Sequence, residues 1–189
     1  MTEAHLFAIG LALAALSGVR AYLTVFGIGI AGLMGWVDLP PALEVTSSWW
    51  VLGTAGVLTG VEFFTDKIPG VDSASDLLQT LLRVPVGAWL AAATLSPDGE
   101  LGGLALASGA GAALLTHVVK AGTRAVINAS PEPVSNWAAS ATEDAAVVGG
   151  LALVVTHPWL ALSLLLLMVG GVAAGVYWLA RKLFRRKPA

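Results

Sequence analysis

The chain has 189 residues, of which 57% are hydrophobic and 12% are charged, and its formal net charge is −2. A soluble domain carries about 25% charged residues, and the mean hydropathy of +0.81 also points to an integral membrane protein rather than a soluble domain. The chain has no cysteine, which excludes a disulfide framework and a thiolate metal site.

A membrane-spanning helix needs about 20 mostly apolar residues, and six runs meet that need. The first, about 4–36, reads as one retained span with a bend at Gly18. Its start, "MTEAHLFAIGLALAALSG", lacks the basic n-region of a cleaved signal peptide. The second, about 49–67, opens on the Trp49-Trp50 pair. The third, fourth, fifth and sixth follow at about 73–95, 101–128, 136–156 and 158–180. The breaks between them hold proline, in "DLPPALEVTSS", "KIPGVDS", "SPDGE", "NASPEPVSN" and "THPW". Proline ends helices because it lacks an N–H and clashes with the preceding turn.

Half of the ten Lys and Arg residues lie in the tail "RKLFRRK". Positive flanks favour the cytoplasmic side, so the tail at 181–189 is expected inside. Six spans then put the N-terminus inside as well, and the cation-free loops holding Asp38, Glu44, Asp98 and Glu100 outside; five spans, with the first segment interfacial, would flip only the N-terminus. The halves 4–95 and 101–180 of the single membrane domain 1–180 also look related. Val19-Arg20-Ala21 falls on Val119-Lys120-Ala121, "SSW" on "SNW", and Pro69 on Pro158. Three helices per copy would make the second copy inverted, a recurrent plan in secondary transporters. A rival alignment sets "VEFFTD" on "VKAGTR" and pairs the second and fourth spans instead.

Polar residues within the spans recur every three or four positions. The sets are Ser17, Arg20 and Thr24; Thr59, Glu62 and Asp66; Asp72, Asp76, Thr80 and Arg83. The fourth span adds His117, Lys120, Arg124 and Asn128, and the fifth adds Asn136, Ser140 and Glu143 with Asp144 alongside. This spacing keeps each set on one helix face. A charge at the bilayer centre costs about 2.5–3.5 kcal/mol on insertion scales, so the stripes are expected to face one another or water. Glu62, Asp66, Glu143 and Asp144 are expected to meet Arg20, Lys120 and Arg124, with Glu62 reaching Lys120 or Arg124. The competing reading is that paired charges only hold helices together. Under that bland reading several charges lie at the interface, where Lys67 and Arg83 can snorkel. A metal, if bound, would take the carboxylates of Glu62, Asp66, Glu143 and Asp144, a set suited to a hard cation or protons. The chain has no P-loop, no G-x-S-x-G elbow and no H-E-x-x-H, and His5, His117 and His157 lack ligand spacing. A triad of His117, Ser140 and Asp144 has no motif behind it.

Five segments together resemble a known family: "ALSGVRAYLTV", "EFFTDKIPGVDS", "LLRVPVGA", "HVVKAGTRAVINASPEPVSNW" and "SATEDAAVV". On them the chain resembles the bacterial membrane-protein family catalogued as domain of unknown function 4126 (DUF4126), from about Leu13 to Val148. The resemblance implies a multi-pass membrane protein and assigns no chemistry. "EFFTDK" is also similar to the acidic E-x-G-D-K motif of a cation–proton exchanger family with two inverted three-helix repeats. Here the spacing is one residue longer, the glycine is absent, and "TEDAA" in the second half has no following lysine.

The sequence thus leads to an all-α, polytopic protein of the cytoplasmic membrane with about six helices, broken by prolines. The expected function is transport or channelling of an ion or small charged solute. The site would be built from Arg20, Glu62, Asp66, His117, Lys120, Arg124, Asn128, Glu143 and Asp144. The alternative is a non-transporting scaffold or assembly protein with structural salt bridges. No enzymatic activity, cofactor or nucleic-acid partner is expected. The sixth span lacks a polar stripe and carries Gly171 and Gly175, a G-x-x-x-G face through which a homodimer is expected.

Overall fold

A computed structural model describes residues 2–68, 71–96, 102–129 and 133–184. The elements are α1 Glu3–Leu33, a 3-10 segment Pro41–Ser47, α2 Trp49–Thr65, α3 Val71–Leu95, α4 Gly103–Asn128, α5 Pro133–Thr156 and α6 Pro158–Phe184. No strand occurs among the described residues. The helices start where the local chemistry allows. Thr2 caps α1 by accepting from the His5 N–H, and Ser48 caps α2 by accepting from Val51. Pro133 and Pro158 occupy first positions, where a missing N–H costs nothing. Glu3–Leu33, Leu78–Leu95, Gly103–Asn128, Val134–Thr156 and Pro158–Gly175 are long and apolar enough to cross a membrane. The chain is therefore an all-α, polytopic membrane protein. With 17 residues, α2 sits at the short limit for a span.

α1 is not one crossing. Arg20 takes extended angles (φ −145°, ψ 87°) in the middle of it, dividing it into arms 3–19 and 21–33. In a straight helix His5 and Ile30 would be about 37 Å apart at 1.5 Å per residue. Instead His5 stacks edge-on against Trp159, with ring centroids 6.3 Å apart. Ile30, Ala31 and Trp36 share a cleft with Val155 and Thr156, only three residues before Trp159. Both arms therefore begin and end at the same end of the bundle, here called proximal, and Arg20 is the tip of a helical hairpin. The bend expected at Gly18 lies two residues further on, and it is a reversal. Gly18 serves packing instead: a Cβ there would sit 2.2 Å from the Ala113 carbonyl oxygen.

The remaining directions follow from contacts. α2 starts at the proximal end, where a Cβ at Gly29 would lie 2.9 Å from Leu52, and it ends at Asp66 beside Arg20. α3 returns against the first arm of α1: Ser17 Oγ donates to the Arg83 carbonyl, and Gly10 abuts Ala91 and Thr94. α4 runs parallel to that arm, with Thr116 Oγ1 donating to the Ala15 carbonyl and Lys120 Nζ to that of Val19. Glycines let α3 and α4 touch; a Cβ at Gly109 would lie 2.5 Å from the Gly87 carbonyl oxygen. Such small-residue seams replace the hydrophobic drive that lipid removes. α5 comes back to the proximal end and α6 leaves from it. Leu13, Leu16, Leu90, Val147, Val154 and Leu165 fill the centre.

The segment matched to the Lys120 region straddles the hairpin tip: its part before Arg20 runs parallel to α4, and its part after Arg20 runs back. The topology corrects the expectation that both termini lie at one end. The start of α1 and the end of α6 lie at opposite ends of the bundle, because α1 returns to the end it started from. Exposed Trp36, Trp49, Trp50 and Trp159 ring the proximal end, and Trp137, Tyr177 and Trp178 lie toward the distal end. Trp159 and Trp178, 19 residues apart on α6, are separated by about 28 Å, close to the roughly 30 Å of a bilayer core. On the same scale Arg20 lies about 22 Å from His5, nearer the distal belt than the midplane. On the outer helix α6, no atom lies within 4 Å of a Cβ placed on Gly171 or Gly175.

Candidate functional site

The hairpin tip carries Arg20 into the distal half of the bundle, where the polar faces of α2, α3, α4 and α5 meet it. Arg20 is 1% exposed. Its guanidinium contacts Asp66 at 2.9 Å, Asp144 at 3.0 Å and Glu143 at 3.7 Å, and donates to Ser140 Oγ at 3.0 Å. The break also frees backbone carbonyls, and neighbours take them up. Thr24 Oγ1 donates to the Arg20 carbonyl, and Lys120 Nζ to that of Val19. An unpaired carbonyl at this depth would cost several kcal/mol, roughly.

Lys120 joins three carboxylates: Asp66 at 3.0 Å, Asp76 at 3.1 Å and Glu143 at 3.4 Å. Arg124 grips Glu143 with two parallel bonds of 2.8 and 2.9 Å, the geometry that makes arginine–carboxylate pairs strong. It also donates to the Asp66 carbonyl and to Asn136 Oδ1, and Asn136 Nδ2 in turn donates to Asn128. Lys67 Nζ donates to the Phe63 carbonyl and Ser140 Oγ and lies 3.0 Å above the Phe63 ring centroid.

A second lobe centres on Arg83. It meets Glu62 at 2.6 Å and Asp76 at 2.8 Å, and also donates to Gln79 Oε1. Its NH1 donates to His117 Nδ1 at 3.1 Å, and His117 Nε2 lies 2.6 Å from Thr80 Oγ1. A guanidinium only donates, so Nδ1 must accept and the neutral ring carries its proton on Nε2. That N–H donates to Thr80, whose hydroxyl donates to the Asp76 carbonyl. His117 therefore braces Arg83 through one nitrogen and α3 through the other.

All nine residues anticipated from the sequence lie in or against this cluster. Four details differ from expectation. Arg83 and Lys67 do not snorkel; they are 0% and 8% exposed, inside the cluster. Glu62 pairs with Arg83 rather than with Lys120 or Arg124. No group of three or more metal-ligating side chains among the described residues is placed to hold a metal. The cage proposed from Glu62, Asp66, Glu143 and Asp144 fails because each carboxylate is turned toward a cation. Asp76, Arg83, Asn136 and Ser140 are further members of the site. The stripe Asp72, Asp76, Thr80 and Arg83 signals the first two, and the stripe Asn136, Ser140 and Glu143 the other two; the Asp72 side chain lies outside what is described.

Among the described residues the cluster balances. Arg20, Lys67, Arg83, Lys120 and Arg124 face Glu62, Asp66, Asp76, Glu143 and Asp144. It is not saturated. Glu62 Oε2, Asp66 Oδ1, Asp76 Oδ2 and Asp144 Oδ2 are buried without a hydrogen-bond donor, as are Arg20 Nε and Arg83 Nε without an acceptor. Buried polar atoms are normally satisfied, so these atoms retain unused hydrogen-bonding capacity. The cleft of about 630 Å³ lined by Leu23, Phe26, Ile30, Trp36 and Leu151 is apolar and holds none of these groups.

No curated protein and no solved structure matches the chain. The family model described as Domain of unknown function (DUF4126) matches residues 7–182, so the chain belongs to that family.

Proposed function

We propose that this is a small transporter or channel of the cytoplasmic membrane, and that the ten-charge cluster is where it takes up an ion or small charged solute. The observation that carries this reading is the set of four bare carboxylate oxygens within an otherwise paired, buried network. Helix cohesion alone would be served by fewer charges, since each one lowers insertion stability. A balanced network with vacant oxygens and guanidinium nitrogens takes in an ion at the expense of an existing pair. Exchanging partners in this way is a means of coupling occupancy to helix position. The end of α2 at Asp66 and the hairpin tip at Arg20 both lie at the cluster.

The charge distribution supports an orientation. All ten Lys and Arg residues lie in the cluster or in the stretch from Arg181 onward, at the end of α6 and beyond it, and the proximal end carries only Glu3, Asp38 and Glu44 among its described charges. Positive residues favour the cytoplasm, so the distal end faces inward and the N-terminus outward.

The test is flux in liposomes holding the purified protein, across a panel of cations, anions and protons, with Glu62→Gln and Glu143→Gln as variants. Flux by the parent chain, weakened in folded variants, is expected. The alternative is a scaffold, favoured by the observation that each buried cation of the cluster has a described polar partner. No flux across the panel, with both variants active in cells, selects it.

A further inference from the structure

We infer that the species exchanged at this cluster is a proton and that Glu62 carries it; this rests on reading the cluster as an ion-handling site. The five carboxylates differ in how many cations hold them. Asp66 Oδ2 is shared by Arg20, Lys120 and Arg124. Glu143 contacts the same three cations. Asp76 faces Arg83 and Lys120. Among the described residues, Glu62 and Asp144 have one ion pair each, with Arg83 and Arg20 respectively. Of these two, Glu62 is 1% exposed and Asp144 is 23% exposed at its side chain.

A metal ion needs several oxygens converging on one point, away from competing cations. Here every carboxylate has a lysine or arginine within 4 Å, so that geometry is closed. A proton needs only one free oxygen. Glu62 Oε2 is buried and has no donor. When H⁺ from water bonds to it, the carboxylate becomes a neutral acid, and Arg83 keeps Asp76 at 2.8 Å and Gln79 as partners. No cation is stranded. Protonating Asp66 instead would weaken the contacts of three cations at once. Thr59 Oγ1, one turn before Glu62 on α2, is also buried with no partner. It continues the line of vacant polar atoms from the cluster toward the proximal end. On release the O–H bond breaks, the proton returns to water and the Glu62–Arg83 pair re-forms.

Infrared difference spectra between acidic and alkaline pH, taken on the full-length protein in liposomes, read this directly. A protonated-carboxyl C=O band is expected in the parent chain. It should shift when glutamate is ¹³C-labelled, vanish in Glu62→Gln and survive in Asp144→Asn. A band that persists in Glu62→Gln, or no band at all, overturns the inference. If Glu62→Gln does not fold, the labelled parent decides, because a band insensitive to ¹³C-glutamate is equally fatal. Flux of another ion without the band sinks the proton assignment alone. The band without any flux leaves Glu62 a proton site and sinks the transport reading.

Discussion

Neutralising Glu62 and neutralising Arg83 should have unequal consequences, because the two partners are differently supported. Glu62→Gln removes one charge-assisted bond of 2.6 Å, but Arg83 retains Asp76 and Gln79. A hydrogen bond to a charged group contributes about 1.5–3 kcal/mol, and the retained partners place the loss near 1.5, roughly, the lower bound. Arg83→Gln removes the only cation paired with Glu62 among the described residues, halves the neutralisation of Asp76 and withdraws the donor held by His117 Nδ1. Breaking a buried pair from that side typically costs about 3–5 kcal/mol. The double variant should cost less than the sum, with a coupling of about 1.5–3 kcal/mol. Reversible unfolding in bicelles, followed for all four proteins of the cycle, measures each value. Additive losses, or a Glu62→Gln cost equal to that of Arg83→Gln, would refute the pairing on which both the site and the proton assignment stand.

Gly18→Ala should destabilise the chain by about 3 kcal/mol, the upper end for overpacking, because its Cβ meets a backbone carbonyl that cannot rotate away. Gly171→Ala and Gly175→Ala, which meet no atom, should fall within about 0.5 kcal/mol of the parent; equal melting shifts for all three would contradict the seam between α1 and α4. Single cysteines at residues 3 and 182 should label from opposite sides of the membrane, the first from outside, and labelling of both from one side would contradict the hairpin. His117→Phe removes the acceptor for Arg83 and the donor to Thr80, and should cost about 1–3 kcal/mol. His117→Gln should recover part of that loss in the same unfolding measurement, and an identical loss in both would mean the ring acts by shape alone.

The membrane class and the existence of a polar site were legible in the residues themselves. A chain with 57% hydrophobic residues has no polar surface to offer water, and helical periodicity follows from 3.6 residues per turn whatever the neighbours are. Polar side chains spaced three and four apart therefore announced a face on each of five segments. Spacing assigns a face but not a depth, so the stripes could not say which carboxylate meets which cation. That is why the pairing of Glu62 with Arg83, rather than with Lys120 or Arg124, follows from no spacing rule. Depth was decided by the reversal at Arg20, and nothing local marks it. "LSGVRAYLT" contains no proline, and its one glycine is two residues away from the break. The extended conformation of Arg20 persists because distant groups satisfy what it exposes. Lys120 from α4 takes the Val19 carbonyl, while Asp66 from α2 and Asp144 from α5 hold the guanidinium. Those partners are 46 or more positions away in sequence, so the turn and the placement of the two termini at opposite ends of the bundle arise only when the helices pack.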